Sequence, residues 1–159
     1  MEGLELIMNG VIVSIHRVAA NGGPAEELAI VPVRTNWGIE GDYRSRADKM
    51  RQLTLIEEEV LDQVGSILGH EVALGASRRQ IVVRGLDLRG MIGKHLALGT
   101  VHVDVVGPCD PCERMNETIG PGGQAALGDW AGVVCCVLTG GQLRVGDSVQ
   151  VLDSVSQTP

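Results

Sequence analysis

Aromatic residues are nearly missing from this chain. Of 159 residues only Trp37, Tyr43 and Trp130 are aromatic, and phenylalanine is absent. A hydrophobic core must therefore be assembled from Val, Leu, Ile and Ala. Long apolar runs are lacking as well. None approaches the roughly 20 residues that a membrane-crossing helix needs, so no membrane partner is expected. The opening MEGLELIMNG carries acids and no basic cluster ahead of an apolar stretch, unlike a secretory leader. A cytoplasmic location is the expectation. Positive charge is scarce too: 13 Lys and Arg against 20 Asp and Glu leave a net charge of −7. Nucleic acid is not an expected partner, because phosphate backbones attract clustered cations and single strands need exposed rings to stack on. RSRADKMR is the stretch where a local basic patch could outweigh that balance.

Several chemistries are excluded by missing spacing. Lys49 and Lys94 are the only lysines, and neither sits in a Schiff-base setting, so no pyridoxal phosphate site is expected. No flavin-type Gly-x-Gly-x-x-Gly and no iron–sulfur cysteine spacing occurs. His16, His70, His95 and His102 are scattered without metal-ligand spacing, and no Ser-His-Asp arrangement can be read.

What is present suits one β-rich domain spanning 1–159, with its core at roughly 10–152. Twenty-two glycines imply many tight turns. GVIVSIHRV, ELAIVPVRT, RQLTLI, RRQIVVRG, VHVDVV, AGVVCCVLTG and GDSVQVLD read as strands. In VHVDVV, Val101, Val103 and Val105 share one face, opposite His102 and Asp104. One helix is expected over 57–68, where Ile56, Val60, Val64, Ile67 and Leu68 recur at helical spacing and Gly69 is a stop signal. NWGIEGDYRSRADKM reads as an exposed loop, while LDLRGMIGK, ERMNETI and GGQAALGDW read as short helical pieces. Asp87 is expected to cap the first of these.

Four cysteines remain. Cys135 and Cys136 are neighbours in an apolar strand and point to opposite faces, so a four-thiolate zinc site is not expected. Cys109 and Cys112 form a Cys-x-x-Cys in GPCDPCERM. That pair is open to four readings: a metal site, a redox pair, a sulfur or cofactor ligand, or small core residues.

Five stretches together resemble the MOSC domains, named for the C-terminal part of molybdenum cofactor sulfurases. They are GIEGDYR, RQLTLIEEEV, RRQIVVRGLDLRGMIGKHLALG, GPCDPCERM and VLTGGQLRVGD, in that order. The resemblance implies a mainly β fold: a closed or nearly closed β-barrel, like the inserted barrel of pyruvate kinase, with one main helix. It implies one functional cysteine, matched through PCERM to Cys112, ligating the metal of a molybdenum-pterin cofactor. Around it Arg84, Arg51 and Arg114 are candidates to hold the cofactor's phosphate or support the thiolate. Asp42 is a candidate ligand or turn former, and Cys109 a resolving or supporting thiol. The chain departs from the family pattern at Arg44, where a His is usual, and at Gln80 and Val83, where Asn and Thr are usual.

The function implied is reduction of small N-hydroxylated or related oxidised compounds, with electrons from a separate reductase. The alternatives are a sulfur carrier that accepts a persulfide on Cys112 from a cysteine desulfurase, and a binding barrel without chemistry. If Cys112 is a thiolate ligand at a helix start, it is expected to alkylate fastest, Cys109 next, and Cys135 and Cys136 slowest.

Overall fold

A computed structural model describes residues 9–152. The opening segment read for a leader lies outside them except for Asn9 and Gly10. In chain order the elements are β1 (Asn9–Val18), β2 (Ala25–Leu28), β3 (Ile30–Arg34), β4 (Gly38–Ile39), β5 (Leu53–Glu57), α1 (Glu58–Leu68), β6 (Ile81–Arg84), β7 (His95–Leu98), β8 (Val101–Pro108), α2 (Met115–Thr118), α3 (Gly123–Leu127), β9 (Val133–Thr139), β10 (Gly141–Arg144) and β11 (Ser148–Leu152). A 3-10 turn at Leu88–Met91 precedes β7, and the Asp87 side chain caps it by accepting from the Arg89 amide.

The strands β1, β6, β5, β9, β8, β7 and β11 pair in that order, and β11 pairs again with β1, closing a seven-stranded barrel. Neighbours are antiparallel except β5 and β6. A parallel pair needs a crossover, and α1 lies within it. Outside the ring, β2 extends from β1, and β10, β3 and β4 make a separate three-stranded sheet.

Alternation fills the barrel as the sequence suggests. Val101, Val103 and Val105 point inward with Leu53, Leu55, Ile81 and Val83, while His102 and Asp104 stay half-buried outside. Trp130 is the aromatic member of that cluster. Its indole N–H donates to the Glu57 carboxylate at 2.9 Å, and the Leu88 amide donates to the other oxygen at 3.0 Å. Gly132, at φ 90°, opens β9 where a Cβ would lie 2.0 Å from the Leu55 carbonyl oxygen. Only glycine fits so close an approach at the start of β9 to its neighbour β5.

The helix starts one residue later than its expected 57 and ends at Leu68, capped by Gly69 in the left-handed conformation. Leu61 and Val64 are buried, but Ile67 is 60% exposed and does not belong to the packed face. A second apolar cluster joins Val64 to Met115, Ile119, Leu127 and Ala131. It ties α1 to α2 and α3 and anchors the loop that carries the Cys-x-x-Cys.

Two readings of local structure are corrected. ELAIVPVRT is two strands, broken at Ala29. The segment 36–50 is not simply exposed, because Gly38, Ile39, Asp42 and Ser45 are buried. Ser45 donates to the Ile39 carbonyl at 2.6 Å within the loop, and the Val18 amide of β1 donates to Asp42 at 3.1 Å, which ties the loop to the barrel.

Candidate functional site

The cysteine loop leaves the barrel at Pro108. Prolines 108 and 111 fix φ on either side of Cys109 and Asp110, and three hydrogen bonds hold what lies between and beyond. The Cys109 amide donates to the Gly132 carbonyl at 2.8 Å, and the Met115 amide donates to the Cys112 carbonyl at 3.0 Å. The third comes from Arg79, whose Nη2 donates to the Asp110 carbonyl at 2.9 Å while its Nε donates to the Ala131 carbonyl at 2.8 Å. Cys109 is thereby buried, 2% exposed, and Cys112 is presented to solvent.

Arg79 is itself only 4% exposed, and among the described residues no carboxylate forms an ion pair with it. Burial opposes its charged form, and so do the Arg51 and Arg44 guanidiniums. Cys109 and Cys112 lie close enough to it to bear on its charge. A buried cation requires compensation, and here the Ala131 and Asp110 carbonyls accept from it. Beside it Arg78 adopts a left-handed φ of 64°. Its charged form is disfavoured by burial and by the charges of Arg114 and Arg44.

Next to these arginines lies a cleft of about 590 Å³ lined by Tyr43, Arg44, Arg46, Lys49, Met50 and Arg51. Four of the six residues are cations and none is an acid. With Arg78, Arg79 and Arg114, this region takes more than half of the chain's 13 basic residues. A chain of net charge −7 therefore carries a concentrated positive site.

The residues singled out from the sequence divide. Cys109, Cys112, Arg51 and Arg114 gather around Arg78 and Arg79. Arg84 does not join them: it ends the strand that Arg79 precedes, and it pairs with Glu58 at 3.2 Å. The Asp42 carboxylate is buried and fully used. It accepts from Arg44 Nε at 2.9 Å and Nη2 at 2.8 Å, from the Arg44 amide at 2.9 Å and from the Val18 amide at 3.1 Å. Burial raises its proton affinity, but those donors and the Arg44 charge overcome that and hold its pKa below the usual carboxylate value. Asp42 thus shapes a turn and fixes Arg44, whose Nη1 donates to the Arg78 carbonyl at 2.7 Å. Cys135 lies inside the barrel, its thiol pushed up by burial. Cys136 points outward, with its thiol also raised by burial and donating to the Lys49 and Met50 carbonyls.

Arg78 and Arg79 were not among the candidates read from the sequence, nor were Arg46 and Lys49. Their signal was available in SRRQIVVRG, where paired arginines run directly into a buried strand, and in the basic stretch RSRADKMR. Gln80 carries a second buried anomaly: its Oε1 accepts from the Thr54 amide at 2.9 Å, while its Nε2 has no partner. Among the described residues no cluster of three or more His, Cys, Asp or Glu could hold a bare metal ion.

A model of the MOSC domain matches residues 42–150. No curated protein matches the chain. Solved structures that resemble it include the YuaD protein from Bacillus subtilis, at 17% identity and TM-score 0.77, covering 91% of this chain and 96% of that one. YiiM from Geobacillus stearothermophilus follows at 19% identity and TM-score 0.70, covering 91% and 75%. YiiM from Escherichia coli gives 15% identity and TM-score 0.66, covering 90% and 70%. At these identities the likeness concerns the fold.

Proposed function

We propose, from the premise that this chain belongs to the MOSC domain family, that Cys112 ligates the metal of a molybdenum-pterin cofactor. The observation that carries the proposal is an exposed thiol beside a buried arginine that no carboxylate among the described residues pairs with. The residues fit such a group in three respects. A soft metal takes a thiolate ligand. With no three-residue cluster for a bare ion among the described residues, the metal would have to arrive with ligands of its own, as it does in a pterin. A phosphate on that pterin would meet guanidiniums able to bind it in a bidentate fork.

When bound, the cofactor would supply two-electron redox chemistry on a small oxidised nitrogen or sulfur compound. The chain's own residues hold and orient. Arg79 clamps the cysteine loop to the start of β9. Arg51 and Arg114 offer charge toward the phosphate, and Tyr43 and Met50 offer apolar surface to a substrate. Electrons would come from a separate reductase. Arg84 is left out of this assignment because of its distance along β6 and its Glu58 partner.

The exposure of Cys112 also favours a second reading, in which a desulfurase loads it with a persulfide for delivery elsewhere. Elemental analysis and intact mass separate the two. From a host that makes the cofactor, wild-type protein should carry molybdenum and phosphorus near equivalence with the chain, and Cys112→Ala should carry neither. Metal-free protein that gains one sulfur on Cys112 from a desulfurase would overturn the cofactor reading in favour of the carrier.

A further inference from the structure

Of the four histidines only His16 is buried, at 4% exposed. Its neighbour Ile15 fills the barrel, so His16 lies on the outward face of β1 with Ser14, itself fully buried. The Ser14 hydroxyl and His16 Nε2 are hydrogen-bonded at 2.8 Å, and the His16 amide donates to the Gln80 carbonyl at 2.7 Å. The loop from α1 to β6 covers the ring. A Cβ on Gly75 would stand 2.8 Å from Nδ1 and 3.0 Å from Cε1, so that backbone rests on the imidazole with no room for a side chain.

The contact is close to the site along the chain. Val72 and Leu74 hold the start of the loop in the apolar cluster of Ile56, Leu61 and Val82. Beyond them the Arg78 amide donates to the Gly75 carbonyl at 3.0 Å, and the Arg79 amide to the Ser77 hydroxyl at 3.3 Å. Arg78 keeps its left-handed φ there, which a residue other than glycine holds only where its surroundings impose it. Arg79 then clamps the cysteine loop. We propose that His16 is a pH-sensitive latch: neutral, it seats Gly75 and so holds Arg78 and Arg79 in the site, and protonated, it lifts the turn at 75–79 and frees the cysteine loop. As regulation of that site the latch rests on the reading of Cys112 for its purpose, but not for its operation.

Protonation adds a charge where little answers it. Ser14 on β1, the Gln80 carbonyl on β6 and the Gly75 backbone are uncharged. Glu27, the cross-strand partner on β2, is the charged side chain that favours the protonated ring, but it is exposed and burial outweighs it. The closed loop therefore disfavours the charged ring, and opening returns that charge to water. Because the closed state binds the proton more weakly than the open one, opening gains as pH falls through the ordinary histidine range.

Amide hydrogen exchange of the full chain, resolved by NMR from about pH 8 to about pH 5 and corrected for intrinsic rates, tests this beside the His16 ring titration in the same sample. Exchange at the Arg78, Arg79 and Cys109 amides should rise at least about threefold and track the ring titration, while β8 amides stay protected. In His16→Gln, which keeps a donor for Ser14 and cannot charge, exchange should stay flat. Flat exchange in the wild type would overturn the latch, as would a rise that persists in folded His16→Gln. A simultaneous loss of protection across β8 would overturn it too, since the whole barrel would then be opening. If His16→Gln does not fold, the wild type decides alone: a rise displaced by more than about one pH unit from the ring titration overturns the latch. Molybdenum content separates the two proposals. Metal-free protein with the His16-dependent rise keeps the latch and loses the cofactor, and loaded protein with flat exchange does the reverse.

Discussion

At the scale of single residues, the site turns on two arginines with opposite circumstances. Arg44 is matched by Asp42, and Arg79 is matched by backbone carbonyls. Asp42→Asn removes one partner of a nearly buried pair and should destabilise the fold by about 3 kcal/mol, read by chemical denaturation. The folded Asp42 pKa lies below its unfolded value, so its contribution is present above the unfolded value and lost as pH falls through the lowered one. The acid limb of the stability profile should flatten in Asp42→Asn. Arg79→Gln shortens the reach to the Asp110 and Ala131 carbonyls. Two charge-assisted bonds are then lost or weakened, and a loss of about 2 kcal/mol is expected. With the clamp gone, Cys109 should become open to alkylation, whereas Arg79→Lys should keep part of the protection. Unchanged labelling of Cys109 in Arg79→Gln would mean that the loop is held by the Gly132 and Met115 contacts alone.

At the scale of elements, β5 shows how a strand serves both the barrel and its end. Leu53 and Leu55 fill the interior, and Glu57 closes it by accepting from Trp130 and Leu88. Burial raises the Glu57 pKa more than those donors lower it. Its folded value therefore lies above its unfolded one. The contribution favours folding below the unfolded value and is lost as pH rises through the raised value. Glu57→Gln should abolish that decline in denaturation measured across mildly acidic pH, while mispairing one donor lowers stability by about 1–3 kcal/mol throughout. Gly132→Ala puts a methyl group on the Leu55 carbonyl and should leave little folded protein. Most of this layer was legible in the sequence. Alternation located β8 and β9, acids followed by a 3.6-residue period located α1, and Asp87 was read as a cap. The misses have a physical cause. β4 is two residues long, and β10 follows β9 after a single glycine, Gly140. Neither leaves a periodic trace, and the fold of 36–50 is set by the bond from the Val18 amide of β1 to Asp42 and by the Ser45 bond to Ile39 within the loop.

At the scale of the whole molecule, a net negative chain concentrates its unpaired cations around one cleft and one exposed thiol. Closure of seven strands through β11 and β1 could not be read from local pattern, since it depends on pairing between the two ends of the chain. It followed from the resemblance carried by GPCDPCERM and its companions. The site was partly legible: Cys112, Arg51 and Arg114 fall together, whereas Arg84 belongs to a surface pair and Asp42 to the turn. Arg79 was invisible because a buried, acid-free arginine is defined by what surrounds it. The central claim is that Cys112, set among these arginines, is the thiol that takes the cofactor. Brief alkylation of the native protein at neutral pH, mapped by peptide, tests it most directly when run before and after removal of the cofactor. The account expects Cys112 to be shielded in loaded protein and to label first once it is stripped, with Cys109, Cys135 and Cys136 slow in both. Equal labelling of Cys112 in the two states, or fastest labelling at any of the other three, would contradict it.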